Sequence, residues 1–531
     1  MSGDGERRFD VIVIGSGIGG LTAALLALSR GASVLVIEAA KELGGYTNPF
    51  RRGPYSFDPG LHYIGECGPG QAFTRILEEL GVQIRFRELS PDGFDRLVFP
   101  GYEIAMPRGA ERYKERLASD FPGEREGLDR FFELIAVVRR VVAAVRDPSS
   151  LGAPATQIQK QIPLVPGSRL LFKYVRATLG ELLREHFRDP LLRAVLAAQC
   201  GNYGLPPGRA SAIAGLGVLD HYLEGAYFPI GGSGALRDAF VTAIQGRGGV
   251  FIRNCPVDRI LIKNGRASGV TSRNGESYLA RAVISNADAV ATYRDLLAPE
   301  SLPAWIAQKI ERTRPSLSSL CLFIGTPLDI EAAGMTDANI WHFSSSDIDG
   351  GYEPLFRGEL PPDDVCFYFL SAPSLKDPES ALGNTETSPP RHRLELVALL
   401  PYQIFAPWDG QKPMKRGPAY AALKERLANR YLASIERYVP SIGQHIDVIE
   451  VGTPVTNAAY AAAIEGALYG PEHTPELYGA RRFSTEAALP GLFLCGASVL
   501  GGGIVPSALS GFAAGKLASA SMSARSLAGR G

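Results

Sequence analysis

The chain has 531 residues, of which 45% are hydrophobic and 21% charged, and Lys plus Arg equal Asp plus Glu at 55 each. This composition is typical of a globular protein, and the length predicts two or more structural units with ample capacity for a buried core. The even charge balance argues against a nucleic-acid partner, because such a partner requires a basic face.

The cysteines and the N-terminal residues indicate the cellular setting. Residues 1–10 are polar and charged, which excludes a secretory signal directly at the start and predicts a cytoplasmic location. The six cysteines form no Cys-x-x-Cys pair, so we expect neither a disulfide framework nor a metal site, but reduced packing residues. They are Cys67, Cys200, Cys255, Cys321, Cys366 and Cys495.

Two uncharged stretches, residues 11–29 and 487–515, are long enough to cross a bilayer. The first contains four glycines within six residues, and the second contains Pro490, Pro506 and a Gly-Gly-Gly run at 501–503. Glycine and proline would break a continuous lipid-facing helix. Each stretch is therefore predicted to form a strand, a glycine loop and then a helix.

The start of the chain has the pattern of a βαβ unit. Short apolar runs at residues 9–14 and 32–37 flank a helical run of small apolar residues at 21–28, and Glu38 lies 23 positions after Gly15. An acid at this position accepts hydrogen bonds from ribose hydroxyls and disfavours a 2′-phosphate, which leaves FAD or NAD as the cofactor.

The turn between the first strand and the helix has the GxGxxG spacing. Gly15 permits the tight turn, Gly17 lets the backbone approach a pyrophosphate, and Gly20 lets the helix pack closely on the strand. With Ser16 and Gly19 they open a helix N-terminus that can receive phosphates. The alternative is a glycine-rich turn that binds no ligand.

Two further segments show a family resemblance. Residues 43–47, Leu-Gly-Gly-Tyr-Thr, resemble FAD enzymes of the glutathione-reductase type, which implies that Gly44 and Gly45 belong to an FAD site. Residues 57–65, Phe-Asp-Pro-Gly-Leu-His-Tyr-Ile-Gly, resemble the family of phytoene desaturases, carotenoid isomerases and retinol saturases. The His-Tyr-Ile-Gly portion is most similar to the retinol saturases. FAD is therefore the cofactor that the resemblance implies.

The same resemblance recurs along the chain, at residues 227–236, 257–262, 283–288, 452–457, 466–470 and 492–511. It implies an α/β fold, in which a Rossmann-type FAD-binding domain of the glutathione-reductase and amine-oxidase type accompanies a discontinuous α+β substrate domain. It also assigns Val257 to the cofactor site. The FAD-binding domain is expected at residues 1–85, 227–297 and 439–531, and the substrate-binding domain at 86–226 and 298–438.

Within the substrate domain, amphipathic patterns predict helices at 111–121 and 171–187, and residues 366–370 predict a strand inside the loop-rich stretch 345–408. The stretch 170–187 carries basic residues beside apolar ones, which predicts peripheral contact with a membrane. The alternative is an ordinary solvent-facing helix. The basic residues are Arg169, Lys173, Arg176 and Arg184.

The closing segment contains a second glycine loop. By the resemblance, Gly496 and Gly503 belong to the FAD site, and Ile504 and Val505 follow at the start of a helix expected from about Ser507. Backbone N–H groups and a helix N-terminus there would stabilise negative charge on the pyrimidine carbonyls of reduced flavin. The alternative is an ordinary glycine loop before a closing helix.

His62 and Tyr63 are the candidate catalytic residues, because they are expected at the end of a strand that runs toward the flavin. Either side chain could deliver a proton to the carbon beside the one that is reduced. The alternative is a histidine that packs the edge of the cofactor, with Tyr63 in the core. Asn457, Tyr460 and Tyr469 are further candidates. The sequence has no Gly-x-Ser-x-Gly elbow and no clustered histidines, so hydrolase and metal chemistry are not predicted.

The resemblance implies redox chemistry at a carbon–carbon bond of an apolar polyene, by saturation, desaturation or cis–trans isomerisation. A retinoid or carotenoid is the expected substrate, and the electron donor or acceptor stays open. One alternative is an amine or amino-acid oxidase of related fold. Another is a non-catalytic, prenyl-binding module of the guanine-dissociation-inhibitor type.

Overall fold

The computed structural model describes residues 7–153, 160–378 and 391–528. The strands are β1 (Arg7–Ile14), β2 (Val34–Ile37), β3 (Phe50–Arg52), β4 (Tyr55–Phe57), β5 (Phe86–Glu88), β6 (Asp95–Phe99), β7 (Tyr102–Met106), β8 (Tyr227–Pro229), β9 (Val250–Ile252), β10 (Val257–Lys263), β11 (Arg266–Ser272), β12 (Ser277–Ser285), β13 (Ser318–Thr326), β14 (Asn339–Phe343), β15 (Phe367–Ser371), β16 (His392–Leu400), β17 (Val448–Gly452) and β18 (Leu492–Leu494). The α-helices that lie wholly within these residues are α1 (Ile18–Ser29), α2 (Ala72–Leu80), α3 (Ala110–Asp120), α4 (Arg125–Arg146), α5 (Arg169–Phe172), α6 (Leu179–His186), α7 (Pro190–Ala197), α8 (Ala212–Leu223), α9 (Gly232–Gly246), α10 (Ala289–Asp295), α11 (Ala304–Arg312), α12 (Ile348–Phe356), α13 (Pro373–Lys376), α14 (Gly417–Ile435), α15 (Pro454–Ala461) and α16 (Ile504–Ala528).

A seven-stranded sheet contains the predicted βαβ unit. Its parallel part has the order β18, β12, β1, β2, β9, and the antiparallel strands β10 and β11 extend it beside β12. Strand β1 is central because residues 11–14 pair with β12 on one side and with β2 on the other. Segments from the start, middle and end of the chain therefore meet in one sheet.

Helix α1 is buried along almost its whole length, since every residue except Ser29 is buried. The closing helix α16 covers it, and the approach is very close: a Cβ atom at Gly511 would overlap the carbonyl oxygen of Gly19. Because the sheet and α16 cover α1 on both sides, no face of α1 meets solvent, which explains its apolar sequence.

A second seven-stranded sheet has the order β17, β13, β16, β15, β14, β6, β7. Its pairs are antiparallel except for β14 with β6. Strand β17 comes from the third segment predicted for the cofactor domain, yet it pairs with β13 in this sheet. The division of the chain into domains stays a prediction.

Several predicted elements differ in detail from the structure. The helix expected at 171–187 is two helices, α5 and α6, because Thr178 and Glu181 form a capping box that starts α6 anew. The strand before His62 ends at Phe57, and His62 lies in an irregular segment. The closing helix begins at Ile504, three residues before the predicted position.

Both uncharged stretches form a strand, a glycine loop and a helix, as predicted. Residues 11–29 contain the second half of β1 and all of α1, and residues 487–515 contain β18 and the first part of α16. Among the described residues, no helix combines the length and the apolar character that crossing a membrane requires.

Candidate active site

A cavity of about 2140 Å³ lies between the two seven-stranded sheets. At one end it is lined by the last residues of β1 and β2 and by the glycine turn, and at the other by β13, β14, β15 and β16. Every predicted cofactor and catalytic residue lines this cavity except Gly20. Those that do are Gly15, Ser16, Gly17, Gly19, Glu38, Gly44, Gly45, His62, Tyr63, Val257, Gly496, Gly503, Ile504 and Val505.

The glycine turn has the geometry of an anion site. Gly15 has a φ of 87°, which favours glycine, and a Cβ atom at Gly20 would overlap the carbonyl oxygen of Gly15. Gly20 therefore permits helix packing rather than ligand contact. Helix α1 begins after Gly17 without a side-chain cap, so N–H groups of its first turn are left for a phosphate.

Glu38 holds the first glycine turn and the segment after β2 together. One carboxylate oxygen accepts hydrogen bonds from the backbone N–H of Ser16 at 2.8 Å and from its hydroxyl at 2.6 Å, and the other accepts from the N–H of Ala40 at 2.9 Å. The Ser16 hydroxyl in turn accepts from the N–H of Gly44 at 3.0 Å. Each carboxylate oxygen can accept more than one hydrogen bond, so Glu38 retains capacity for ribose hydroxyls.

Asn286 lies where the loops from both ends of the chain converge. It follows β12 and lines the cavity, and Cβ atoms at Gly17, Gly19 and Gly496 would lie 2.7, 2.6 and 2.9 Å from its side chain. Larger residues at these three positions would have to displace it. Sequence reasoning placed residue 286 in a segment of family resemblance but assigned it no role.

The second glycine loop contacts a buried histidine that sequence reasoning also missed. His473 Nε2 accepts a hydrogen bond from the N–H of Gly502 at 3.4 Å, and both residues line the cavity. Burial lowers the pKa of His473 well below its ordinary value, so the ring is neutral. A neutral ring that accepts at Nε2 carries its proton on Nδ1. This contact orients the loop at the cofactor end of the cavity.

His62 is held by a buried carboxylate. Its Nδ1 lies 2.9 Å from Oε2 of Glu395, a fully buried residue of β16, and the other oxygen of Glu395 accepts the N–H of Asp58 at 2.8 Å. The ring centroid of Phe369 lies 5.4 Å from that of His62. The engaged Nδ1 leaves Nε2 as the ring nitrogen available to the cavity.

The hydroxyl of Tyr63 is directed into a buried polar cluster. It donates to Oδ2 of Asp95 at 3.2 Å and accepts from the side-chain amide of Asn202 at 3.0 Å. Its ring stacks between Tyr222 at 4.2 Å and Phe369 at 5.7 Å, measured between centroids. Burial raises the pKa of Tyr63 well above its ordinary value. The phenolic proton is therefore committed to Asp95.

Strands β14 and β15 present an aromatic wall to the cavity, which consists of Trp341, Phe343, Phe367 and Phe369. Trp341 is paired with Phe369 and Phe343 with Phe367 across the strands. The two pairs lie two residues apart, so they share one face of the sheet. Their ring centroids are 4.9 and 5.1 Å apart, and this part of the cavity is apolar and closely packed.

The three further candidates from the late segment have different environments. Asn457 donates to the hydroxyls of Ser318 and Ser319 at 3.3 and 3.2 Å, so its amide serves the local structure. Tyr469 packs beneath Gly502, and Tyr460 is largely exposed at the edge of the cavity. Within the part of the chain that the structure describes, none of these side chains has the carboxylate partner that His62 has.

A dinucleotide turn at the end of a cavity between two sheets, together with the family match that follows, defines this protein as an FAD-dependent oxidoreductase. The chain belongs to the flavin-containing amine oxidoreductase family, whose model matches residues 18–516. The predicted fold class, cofactor and enzymatic nature are confirmed.

Relatives with known names match over most of the chain. The all-trans-retinol 13,14-reductase of Danio rerio is 30% identical over 490 residues, which cover 90% of this chain and 79% of that protein. The Rattus norvegicus reductase of the same name is 29% identical, with coverages of 94% and 84%. The chloroplastic prolycopene isomerase of Arabidopsis thaliana is 26% identical, with coverages of 96% and 82%.

Solved structures share the fold at lower identity. Putrescine oxidase bound to putrescine aligns with a TM-score of 0.62 at 15% identity, covering 97% of this chain and 99% of that one. An oxidoreductase from Methanosarcina mazei aligns with a TM-score of 0.60 at 16% identity, covering 94% and 98%. These likenesses concern the fold alone.

Proposed function

We propose that this enzyme acts on a carbon–carbon bond of an apolar polyene of the retinoid or carotenoid class. The candidate reactions are saturation, desaturation and redox-dependent cis–trans isomerisation. We favour saturation because the His-Tyr-Ile-Gly segment at 62–65 resembles the retinol saturases. The named relatives, which are retinol reductases and a prolycopene isomerase, support this substrate class.

The observation that carries the proposal is the aromatic wall beside His62. An apolar polyene gains free energy from burial against such a surface, at roughly 25 cal/mol per Å². His62 is a titratable side chain beside the wall, and its ring centroid lies 5.4 Å from that of Phe369. A long conjugated chain lying along the wall would therefore have a reacting carbon near His62.

The cofactor contacts are proposed from the lining of the cavity. The first glycine turn would hold the pyrophosphate, Glu38 the ribose, and the loop at 501–503 the flavin end. FAD, when bound, supplies the two-electron step. The proposed contact residues are Gly15, Ser16, Gly17, Gly19, Glu38, Gly44, Gly45, Val257, Asn286, Gly496, Gly503, Ile504 and Val505, with Gly20 supporting the turn from behind.

His62 is the residue proposed to transfer the proton. Its Nδ1 faces Glu395, and Nε2 is left for the substrate. Tyr63 is proposed as part of the cavity lining and not as the acid, since its hydroxyl already donates to Asp95. The aromatic rings on either side of Tyr63 fix the position of the segment that carries His62.

Peripheral membrane contact is proposed at the segment around α5. Leu164, Leu170 and Phe172 are exposed, and Arg169 and Arg176 lie exposed beside them. Exposed apolar side chains among cations favour an anionic lipid surface. Lys173 contributes less, because its ammonium group forms an ion pair with Glu185.

The proposed substrate class is tested by anaerobic mixing of the reduced protein with a panel of retinoids and carotenoids, followed by flavin absorbance. We expect one polyene class to reoxidise the flavin. A parallel panel of amines with the oxidised protein covers the amine-oxidase alternative. Flavin bleaching by an amine, without reoxidation by any polyene, would overturn the proposal in favour of that alternative.

A further inference from the structure

We propose that Glu395 is the positioning residue for His62: its carboxylate keeps the proton on Nδ1 and leaves Nε2 free to exchange a proton with the substrate. The expected effect of Glu395 on turnover rests on the proposed function. The structural part of the proposal, the protonation pattern of the imidazole, can be tested without any substrate.

Among the described residues, each carboxylate oxygen of Glu395 has one hydrogen-bond donor. Oε1 accepts the backbone N–H of Asp58 at 2.8 Å, and Oε2 lies 2.9 Å from Nδ1 of His62. A backbone N–H can only donate, so the orientation of the carboxyl group is set by Asp58. Glu395 is fully buried, and water cannot replace either partner.

Two ionisable side chains lie close to Glu395. Asp58 is the second buried carboxyl group, and burial, followed by repulsion from Glu395, raises the pKa of Asp58 to about 6. Its carboxylate already accepts the N–H and hydroxyl of Ser233. The buried ammonium group of Lys376 interacts with both carboxyl groups. Glu395 thus faces two N–H donors, a second carboxyl group and the amino group of Lys376.

Lys376 also fixes the backbone of His62. Its ammonium nitrogen lies 2.7 Å from the carbonyl oxygen of His62, while Glu395 engages the ring of the same residue. Glu395 lies on β16 of the second sheet, and Lys376 ends α13, the short helix that follows β15. Side chain and backbone are therefore held from one side, and the exposed edge of the imidazole is directed toward the cavity that His62 lines.

This arrangement suits proton transfer in either direction. With Nδ1–H donated to Glu395, a neutral ring has a lone pair on Nε2 and can accept a proton, as desaturation requires. A doubly protonated ring, which is a cation, can give the Nε2 proton and become neutral, as saturation requires. For saturation, FAD when bound would supply the hydride chemistry, and Nε2 of His62 would give its proton to the adjacent carbon, so that one hydride and one proton add across the double bond.

We expect the replacement of Glu395 by Gln to reverse the tautomer of His62. The N–H of Asp58 can be satisfied only by the amide oxygen, which turns the amide NH2 toward His62 Nδ1. Nδ1 must then accept, so the proton moves to Nε2. A neutral ring protonated on Nε2 cannot donate that proton without forming an imidazolate anion. The amide NH2 group cannot accept a hydrogen bond from Nδ1–H, so it also disfavours the doubly protonated ring. The isosteric change removes the acid function and adds no volume.

The test is ¹⁵N NMR of FAD-loaded protein labelled at histidine, with His62→Gln to assign the signal. We expect Nδ1 protonated and Nε2 bare in the wild type, and the opposite tautomer in Glu395→Gln. Glu103→Gln is the matched control, since Glu103 lies in the same sheet, pairs with Arg96 and does not line the cavity. A wild-type ring protonated on Nε2, or one tautomer in both proteins, would overturn the proposal.

The second readout is turnover per bound flavin with the polyene that the wild type accepts. We expect Glu395→Gln to lose about a hundredfold or more, the contribution of a general acid. Adding His62→Ala should cost nothing further, because both changes remove the same function. Additive losses, or near-normal turnover in Glu395→Gln, would refute the positioning role. If the wild type itself turns over no polyene, the proposed function fails, while the tautomer result still stands.

Discussion

The ammonium nitrogen of Lys376 lies 2.7 Å from the backbone carbonyl oxygen of His62, although 314 residues separate them in the chain. Lys376 also donates to the hydroxyl of Ser371 at 2.7 Å and to the side-chain oxygen of Asn339. Three acceptors match its three N–H bonds. Lys376 is nevertheless fully buried, and desolvation lowers its pKa to about 7.

This lowered pKa predicts a pH-dependent stability. The unfolded chain keeps the ordinary lysine pKa near 10.5 and binds the proton up to that pH, whereas the folded protein releases it above about 7. The contribution of Lys376 to the unfolding free energy therefore rises with pH between 7 and 10.5.

Lys376→Met tests this expectation. The wild type should gain melting temperature relative to the variant between pH 7 and pH 9, corresponding to roughly 2 kcal/mol over two pH units. Thermal unfolding of both proteins at the two pH values measures the difference. Lys263→Met is the control, because Lys263 is exposed on β10. An unchanged difference across this range would contradict the lowered pKa.

Gly17→Val and Glu38→Arg should each yield protein largely free of FAD. The first places a side chain 2.7 Å from Asn286 where the backbone must approach the pyrophosphate, and the second removes the acceptor for Ser16 and ribose. Flavin absorbance per mole of purified protein measures the effect. Gly123→Val is a suitable control, since no atom lies within 4 Å of an added Cβ there. Normal flavin content in both site variants would refute these contacts.

His62→Ala should keep its bound flavin and lose at least about a hundredfold in turnover per mole of bound flavin. Tyr63→Phe should lose less, because the hydroxyl donates to Asp95 and not to the substrate. The packing alternative predicts weaker FAD retention or a lower melting temperature, with turnover per flavin nearly unchanged. A turnover ratio close to that of the wild type would therefore remove His62 from the catalytic residues.

Membrane contact is expected to depend on the exposed apolar side chains around α5. Leu164 and Phe172 are 81% and 51% exposed, and aspartate at both positions should abolish flotation with anionic vesicles at low salt. Trp305→Asp is the matched control, since Trp305 is 56% exposed on a different helix. Equal flotation of all three proteins would place any lipid contact elsewhere, and a wild type that ignores the vesicles would refute the contact altogether.

The sequence by itself determined the βαβ unit, the class of cofactor and the strand–loop–helix pattern at the end of the chain. These features depend on the spacing of residues that are close along the chain, such as Gly15, Gly17 and Gly20. Hydrophobic periodicity and the positions that only glycine can occupy therefore reveal them. The break between α5 and α6 was also readable, because Thr178 and Glu181 have the spacing of a capping box. The amphipathic pattern at 171–187 obscured it.

Only the tertiary structure decided which side chains surround His62. Glu395 lies 333 positions from His62, and no spacing rule connects a strand of one sheet with a loop beside the other. Asn286 and His473 likewise gain their roles only where separate glycine loops reach them. Sequence patterns indicate which face of a helix or strand is buried. Pairing between distant polar groups arises only when the two sheets enclose a common cavity, because a buried donor without an acceptor is energetically costly.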